Sequence, residues 1–228
     1  MSAKDPYTDY FNNAEQAKDY AAEPSKFMPG YAAMHRMTSV LLNEHVPHKA
    51  DILVHGAGGG LEIESFARFN QHWTFSGVDP AKPMLDEARQ RLRHIKNRVT
   101  LHHGFIFDVP DRKFDAATSL LTLHFLDAEE REHTVSEIIR RLKPGAPFIA
   151  VHCSFPQNEK NIWLSRHRNF TIASGVDPEI AEAGSRDIEN ILPVINPEED
   201  EAILRASGLK NVTQFYAAFT WRGWVGNA

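Results

Sequence analysis

The sequence predicts an α/β fold: a doubly wound sheet of about seven strands, mostly parallel, with helices on both faces. Three observations predict it. Apolar, strand-like runs alternate with amphipathic, helix-like runs between residues 51 and 153. The first strand breaks into a glycine-rich loop, "HGAGGGLE" (55–62), and resumes as a helix. Near the end, "VTQFYAAFTWRGWVG" (212–226) reads as two strands joined by a short turn, which places one antiparallel strand in an otherwise parallel sheet.

Taken in order, residues 12–23 read as a helix ended by Pro24, and 31–45 as a helix with Met34, Met37, Leu41 and Leu42 on one face. "DILVH" (51–55) is a strand and "GLEIESFARF" (60–69) a helix. "TFSGVD" (74–79) is a strand, followed by a helix over 82–95 with Pro83 in its first turn, where proline fits. "VTLHHG" (99–104) and "FDAATSLL" (114–121) are strands, 128–142 is a helix stopped by "KPGAP", and "FIAVHC" (148–153) is the fifth strand. The rhythm then lapses. Residues 155–193 read as a two-helix insertion that covers the site, and 197–208 as a helix with a glycine stop. The chain is expected to form a single domain, 1–228, with an N-terminal helical cap (1–47), a core (50–153), the insertion (155–193), and a C-terminal helix and hairpin (197–228).

Composition narrows the function classes. The net charge of −5 argues against a nucleic-acid partner, and the basic run 89–98 reads as the solvated end of a helix. No apolar run approaches the ~18 residues of a membrane span, so no membrane partner is expected. The N-terminus lacks the basic start and apolar middle of a signal peptide. The single cysteine, Cys153, excludes an intrachain disulfide and a cysteine-built zinc site, so the cytoplasm is the expected compartment. The twelve histidines are scattered and form no metal-binding pattern, so no metal is expected.

In a doubly wound sheet, ligands bind at the carboxyl ends of the strands, where the strand order switches. The loop from Gly56 through Ala57 and Gly58 to Gly60 follows the first strand, so its backbone is free to approach a ligand. Asp79 ends the second strand, 21 residues past Gly58, where a carboxylate accepts both hydroxyls of a ribose. It equally fits a cap for the following helix, and the two roles are compatible. The glycines follow G-x-G-x-G, with Leu61 where a dinucleotide fingerprint needs a small residue. Glu62 would repel a pyrophosphate and suits a zwitterionic or cationic ligand.

These residues carry a resemblance. "HGAGGGLE", "GVDPAKPMLDEARQR" and "KFDAATSLLTLHFLDAEEREHTVSEIIRRLKPGAPFIAV" resemble, in order and spacing, the motifs of class I S-adenosylmethionine-dependent methyltransferases. A wider likeness, through "FMPGYAAMHRMTSVLLNEHV" and "ENILPVINPEEDEAILRASGLKNVTQFYAAFTWRGWVG", is similar in layout to the carboxy-S-adenosylmethionine synthases. The resemblance implies a Rossmann-like fold, S-adenosyl-L-methionine as cofactor, and methyl transfer to a small-molecule acceptor. It places Pro80, Met84, Gly104, Phe105, Ile106, Ser119, Leu120 and Tyr31 around the cofactor with the glycines and Asp79. Two positions depart from the pattern: Val54 stands where motif I has an acid, and Phe105 where an acid usually follows the third strand. Of Phe105 and Phe107, one is expected to face the core and the other the ligand.

His124, after the fourth strand, is the candidate base. Arg166 and Arg186 of the insertion are the candidate contacts for an anionic substrate. The same residues also suit an enzyme that makes or uses a modified S-adenosylmethionine, or a noncatalytic cofactor-binding relative. The aromatic hairpin and the insertion offer apolar surface for a homodimer.

Overall fold

The computed structural model describes residue 12 and residues 24–228. The helix expected over 12–23 therefore lies outside the described residues, apart from position 12. One seven-stranded sheet organises the chain, in the order β3-β2-β1-β4-β5-β7-β6. The strands are β1 (Asp51–His55), β2 (Thr74–Asp79), β3 (Val99–His103), β4 (Ala116–Leu120), β5 (Pro147–Cys153), β6 (Lys210–Ala218) and β7 (Trp221–Asn227). The five strands β3 to β5 are mutually parallel, and β7 alone runs against the rest, between β5 and β6. The order switches between β1 and β4, so their carboxyl ends open a crevice.

The described helices are α1 (Tyr31–Asn43), α2 (Leu61–Phe69), α3 (Lys82–Arg91), α4 (Ala128–Arg140), α5 (Lys160–Ala173), α6 (Pro178–Asn190) and α7 (Pro197–Ala206). None is long and apolar enough to cross a membrane. Their starts follow sequence chemistry. Asp127 caps α4 by accepting the Glu130 N–H at 2.9 Å, and Asn196 with Glu199 forms a capping box at α7.

Two apolar clusters flank the sheet. Ile52, Val54, Ile63, Phe66 and Phe75 lie on one face. Leu53, Val78, Ala117, Val135, Ile138 and Trp224 lie on the other. Alternation along β1 sends successive side chains to opposite faces, and each fully buried large side chain contributes roughly 1.5–3 kcal/mol.

Several boundaries differ from the sequence reading. α3 ends at Arg91, and Leu92–Arg98 continues as a tighter 3-10 segment with a non-helical Ile95. Arg98 ties that segment to the carbonyls of Asn70 and Trp73, at 3.0 and 3.2 Å. β4 is shorter than 114–121, because Phe114 bridges only Leu142 and Leu121 turns out of the strand at φ 59°.

The insertion does not cover the crevice. α5 packs on α6, with Arg168 and Glu182 paired at 2.7 Å. The buried face of α5 meets the segment before α1, where His167 Nε2 lies 3.0 Å from the Phe27 carbonyl. The same segment is held from the hairpin: Trp221 Nε1–H donates to Phe27 O at 3.3 Å, and the Tyr216 hydroxyl donates to Pro29 O.

Candidate active site

A cavity of about 340 Å³ opens at the carboxyl ends of β1, β2 and β4. Its floor is the glycine loop. Gly56 takes φ 73° and Gly58 φ 46°, both in the left-handed region that disfavours a side chain. At Gly56 space is also closed, because a Cβ there would stand 2.0 Å from Thr122 Oγ1. Gly56→Ala is therefore expected to lower Tm and to weaken ligand binding at least tenfold, read by melting and calorimetry; an unchanged Kd would mean that the loop tolerates the shift. Left-handed backbone alone costs a non-glycine residue roughly 1–2 kcal/mol.

Asp79 joins the loop to the next strand. Its Oδ2 accepts the Gly58 N–H at 2.9 Å and its Oδ1 accepts the Ala81 N–H at 2.8 Å. Burial pushes the carboxyl up to about 6, while those two backbone donors hold it down. Each oxygen retains a lone pair, so the carboxylate can still accept from a ligand's hydroxyl groups.

Around this floor the structure gathers Gly56, Ala57, Gly58, Asp79, Pro80 and Met84. Gly104, Phe105, Ile106 and Leu120 close one side, and Tyr31 closes the other from the first turn of α1. Both Phe105 and Phe107 line the cavity; it is Ile106 between them that also enters the core. The expected split of the two phenylalanines between core and ligand is thus corrected. A short 3-10 turn over Ile106–Asp108 follows Phe105, and Asp108 Oδ2 accepts the Phe105 N–H at 2.8 Å, so an acid still serves this loop through its backbone.

Five residues expected at the site are not on the cavity wall. Gly60 faces away, where a Cβ would meet Leu92 Cδ1 at 2.9 Å. Ser119 lies beneath the wall, fully buried, with Oγ 3.0 Å from His55 Nδ1. His124 sits in the 3-10 turn Leu123–Phe125 and points inward, its ring 4.3 Å from Phe125 and 5.6 Å from Trp221, centroid to centroid. Its Nδ1 accepts the Cys153 N–H at 3.4 Å, and burial first, then His152 and Arg131, hold it well below the usual imidazole range. Arg166 stacks on the Trp163 ring at 4.6 Å, and Arg186 lies 3.7 Å from Glu182 on the exposed face of α6. His124→Ala is accordingly expected to cost about 1–3 kcal/mol of stability through the lost packing and hydrogen bond. Its kcat should stay within about threefold of wild type; a collapse in kcat with unchanged cofactor affinity would return His124 to the chemistry.

His35, His55 and Thr122 are among the wall residues that the sequence reading did not place at the site, and Glu62, read there as a charge toward the ligand, is on the wall as well. His35 is one helical turn beyond Tyr31, with ring centroids 4.4 Å apart, so the i, i+4 spacing was the available signal. Burial lowers both His35 and His55 to about 4, which keeps them neutral. Burial also pushes Glu62 up to about 8; repulsion from Asp79 adds to this and the Thr118 hydroxyl opposes it.

The comparisons with known proteins agree with this geometry. Residues 52–145 match a family model described as a methyltransferase domain. The carboxy-S-adenosyl-L-methionine synthase of Staphylococcus epidermidis is 22% identical over 97% of this chain and 96% of its own length. An O-methyltransferase family protein from Burkholderia thailandensis superposes with a TM-score of 0.66 at 15% identity, covering 95% of this chain and 61% of its own. Human N-acetylserotonin methyltransferase, solved with S-adenosylmethionine, superposes with a TM-score of 0.65 at 11% identity over 100% of this chain and 60% of its own. Glycine loop, strand order and domain match together identify residues 52–145 as a methyltransferase domain, in a chain with the fold of S-adenosylmethionine-dependent methyltransferases.

Proposed function

We propose that the protein is a methyltransferase that binds S-adenosyl-L-methionine in this cavity and passes its methyl group to a small molecule by in-line displacement. The observation that carries the reading is Asp79. A buried carboxylate at the end of β2 is held by the Gly58 and Ala81 amides and aimed into the cavity beside a side-chain-free loop. That arrangement fits an adenosine ribose: the carboxylate accepts its hydroxyls, the glycine backbone permits close approach, and Phe105 and Met84 offer apolar surface to the base.

When bound, the cofactor supplies a methyl already activated by the positive sulfur. The chain's own task is placement and exclusion of water, worth several kcal/mol when reacting groups are held in near-attack geometry. Tyr31 and His35 close the cavity from α1, and Thr122 and Phe125 close it from the turn after β4. A base is needed only for an acceptor that keeps its proton. Neutral His55 and His35, both on the wall, are better placed for that than His124.

A second reading, formation of a carboxylated cofactor, is favoured by the near full-length likeness to carboxy-S-adenosyl-L-methionine synthases. It requires a cation to face the added carboxylate. Among the described residues no lysine or arginine lines the cavity, which favours unmodified S-adenosylmethionine. Calorimetry with S-adenosylmethionine and S-adenosylhomocysteine, with mass spectrometry of ligand copurified with the protein, tests the proposal. Micromolar binding of both with an unmodified copurified ligand supports it. A copurified ligand heavier by a carboxyl group selects the second reading, and no binding of either overturns both.

A further inference from the structure

Two buried carboxyl groups, Glu62 and Asp79, line the cavity, and among the described residues no lysine or arginine lines it with them. Asp79 is accounted for by its two backbone donors. Among the described residues Glu62 has only the Thr118 hydroxyl, which donates to Oε1 at 2.9 Å. Thr118 of β4 is the register partner of Val54 of β1, so their side chains share a face of the sheet. Val54 belongs to the cluster against which α2 packs. Glu62 thus reaches from α2 onto the strip of sheet beside Val54, the position that lacks a carboxylate of its own.

Among the described residues the surrounding charges do not neutralise it, and Glu130 and His133 of α4 line the same cavity. Asp79, from β2, repels it. His55 at the end of β1 and His35 and Tyr31 of α1 line the same cavity, and the two imidazoles are neutral. Arg91 of α3 is engaged elsewhere: its Nε donates to the Gly59 carbonyl at 2.9 Å and its Nη1 lies 3.6 Å from Glu64. A buried carboxylate without a counter-ion is strongly disfavoured, so the group must hold a proton or meet a cation.

We propose that Glu62 is the counter-charge for a positive group of the bound ligand, an ammonium or a sulfonium, and that it gives up its proton as that group arrives. The proposal rests on the functional reading above and deepens it. The carboxyl O–H bond breaks, the proton leaves to solvent, and the carboxylate stays facing the cation. In the free protein at pH 7, a group raised to about 8 is protonated in roughly nine molecules of ten. A positive charge a few ångströms away reverses that preference. Affinity for a cationic ligand should therefore rise as pH climbs toward 8 and flatten above it. Stability of the free protein should run the other way. Between about 4.5 and 8 the folded state holds a proton that the unfolded state has lost, so stability falls as pH rises through that window.

The test is calorimetric titration of wild type and Glu62→Gln with S-adenosylmethionine at pH 7, in two buffers of different ionisation heat. Glutamine mimics the protonated acid in shape and charge, so the free fold should hold. Wild type should release most of one proton more than the variant and bind at least tenfold tighter. S-adenosylhomocysteine, which keeps the ammonium and lacks the sulfonium, separates the two cations. Excess release that persists with it assigns the ammonium, and excess release that disappears assigns the sulfonium; either supports the proposal. Melting of the free proteins gives a readout without ligand, since the pH 5 to 8 decline in Tm should be shallower for Glu62→Gln. Equal proton release and equal Kd in the two proteins would overturn the role of Glu62 while leaving the cofactor reading intact. Failure of wild type to bind either ligand would remove both.

Discussion

Replacing Asp79 with alanine should weaken S-adenosylmethionine binding by about 100-fold or more. Two charge-assisted hydrogen bonds to a ribose are worth roughly 1.5–3 kcal/mol each, and about 1.4 kcal/mol is tenfold in Kd. The same change strips the Gly58 and Ala81 amides of their acceptor, so part of the loss comes from a loosened loop. Asp79→Asn separates the contributions poorly for a geometric reason. Both carboxylate oxygens face backbone N–H groups, and an amide offers only one acceptor oxygen, so its NH₂ must confront a donor. Asparagine should therefore also bind at least tenfold more weakly than aspartate. Calorimetry gives the Kd values and melting curves report whether the fold survives. A variant at either position that binds like wild type would remove Asp79 from the cofactor site.

The largest stability effect is expected at a residue off the cavity wall, at Asp200→Ala. Arg131 of α4 and Asp200 of α7 form an ion pair with side chains only 1% and 0% exposed. His152 of β5 approaches the same carboxylate, with Nε2 at 2.9 Å. Burial pushes the Asp200 carboxyl up, but His152 and Arg131 more than offset it, so it lies below the ordinary carboxylate range. Removing one member leaves a buried, uncompensated guanidinium, which costs about 3–5 kcal/mol. For a domain of this size that lowers Tm by on the order of 10 °C. Arg131 also donates to the carbonyls of Leu123 and Leu126, at 3.1 and 3.0 Å, and so braces the turn that carries Phe125 and Leu126 on the cavity wall. Ligand affinity should fall with stability. The double change Arg131→Met with Asp200→Leu should recover much of the Tm, because a dry apolar pair replaces two desolvated charges. A Tm shift under 2 °C for Asp200→Ala would show that the pair contributes little.

The sheet was legible because parallel strands buried on both faces read as apolar runs and their connecting helices as amphipathic ones. The ligand end was legible for a local reason. Twenty-one residues separate Gly58 from Asp79, and that separation is the distance around one strand–helix–strand turn that brings the Gly58 amide onto the Asp79 carboxylate. His124 was misread because its surroundings are non-local. The turn that carries it is buried by Trp221, which belongs to a hairpin on the far side of β5. Arg166 and Arg186 failed differently. Helical spacing says that a residue lies on a helix and not which way that helix is docked, and the insertion docks on the segment before α1 instead of over the cavity. Glu62 was seen as a charge and not as a buried group, because its burial depends on Thr118, 56 residues away.

The grip on the segment before α1 has a consequence in time. Tyr31 and His35 are held over the cavity by carbonyls at Phe27 and Pro29, whose partners His167, Tyr216 and Trp221 lie 140 to 194 residues further along the chain. During synthesis the glycine loop and Asp79 exist long before those partners do. Contacts of such separation form late and slowly, because a long loop must close before they repay its entropy. A nascent chain therefore carries the floor of its site well before α5 and the hairpin strands that fasten Tyr31 and His35 over it.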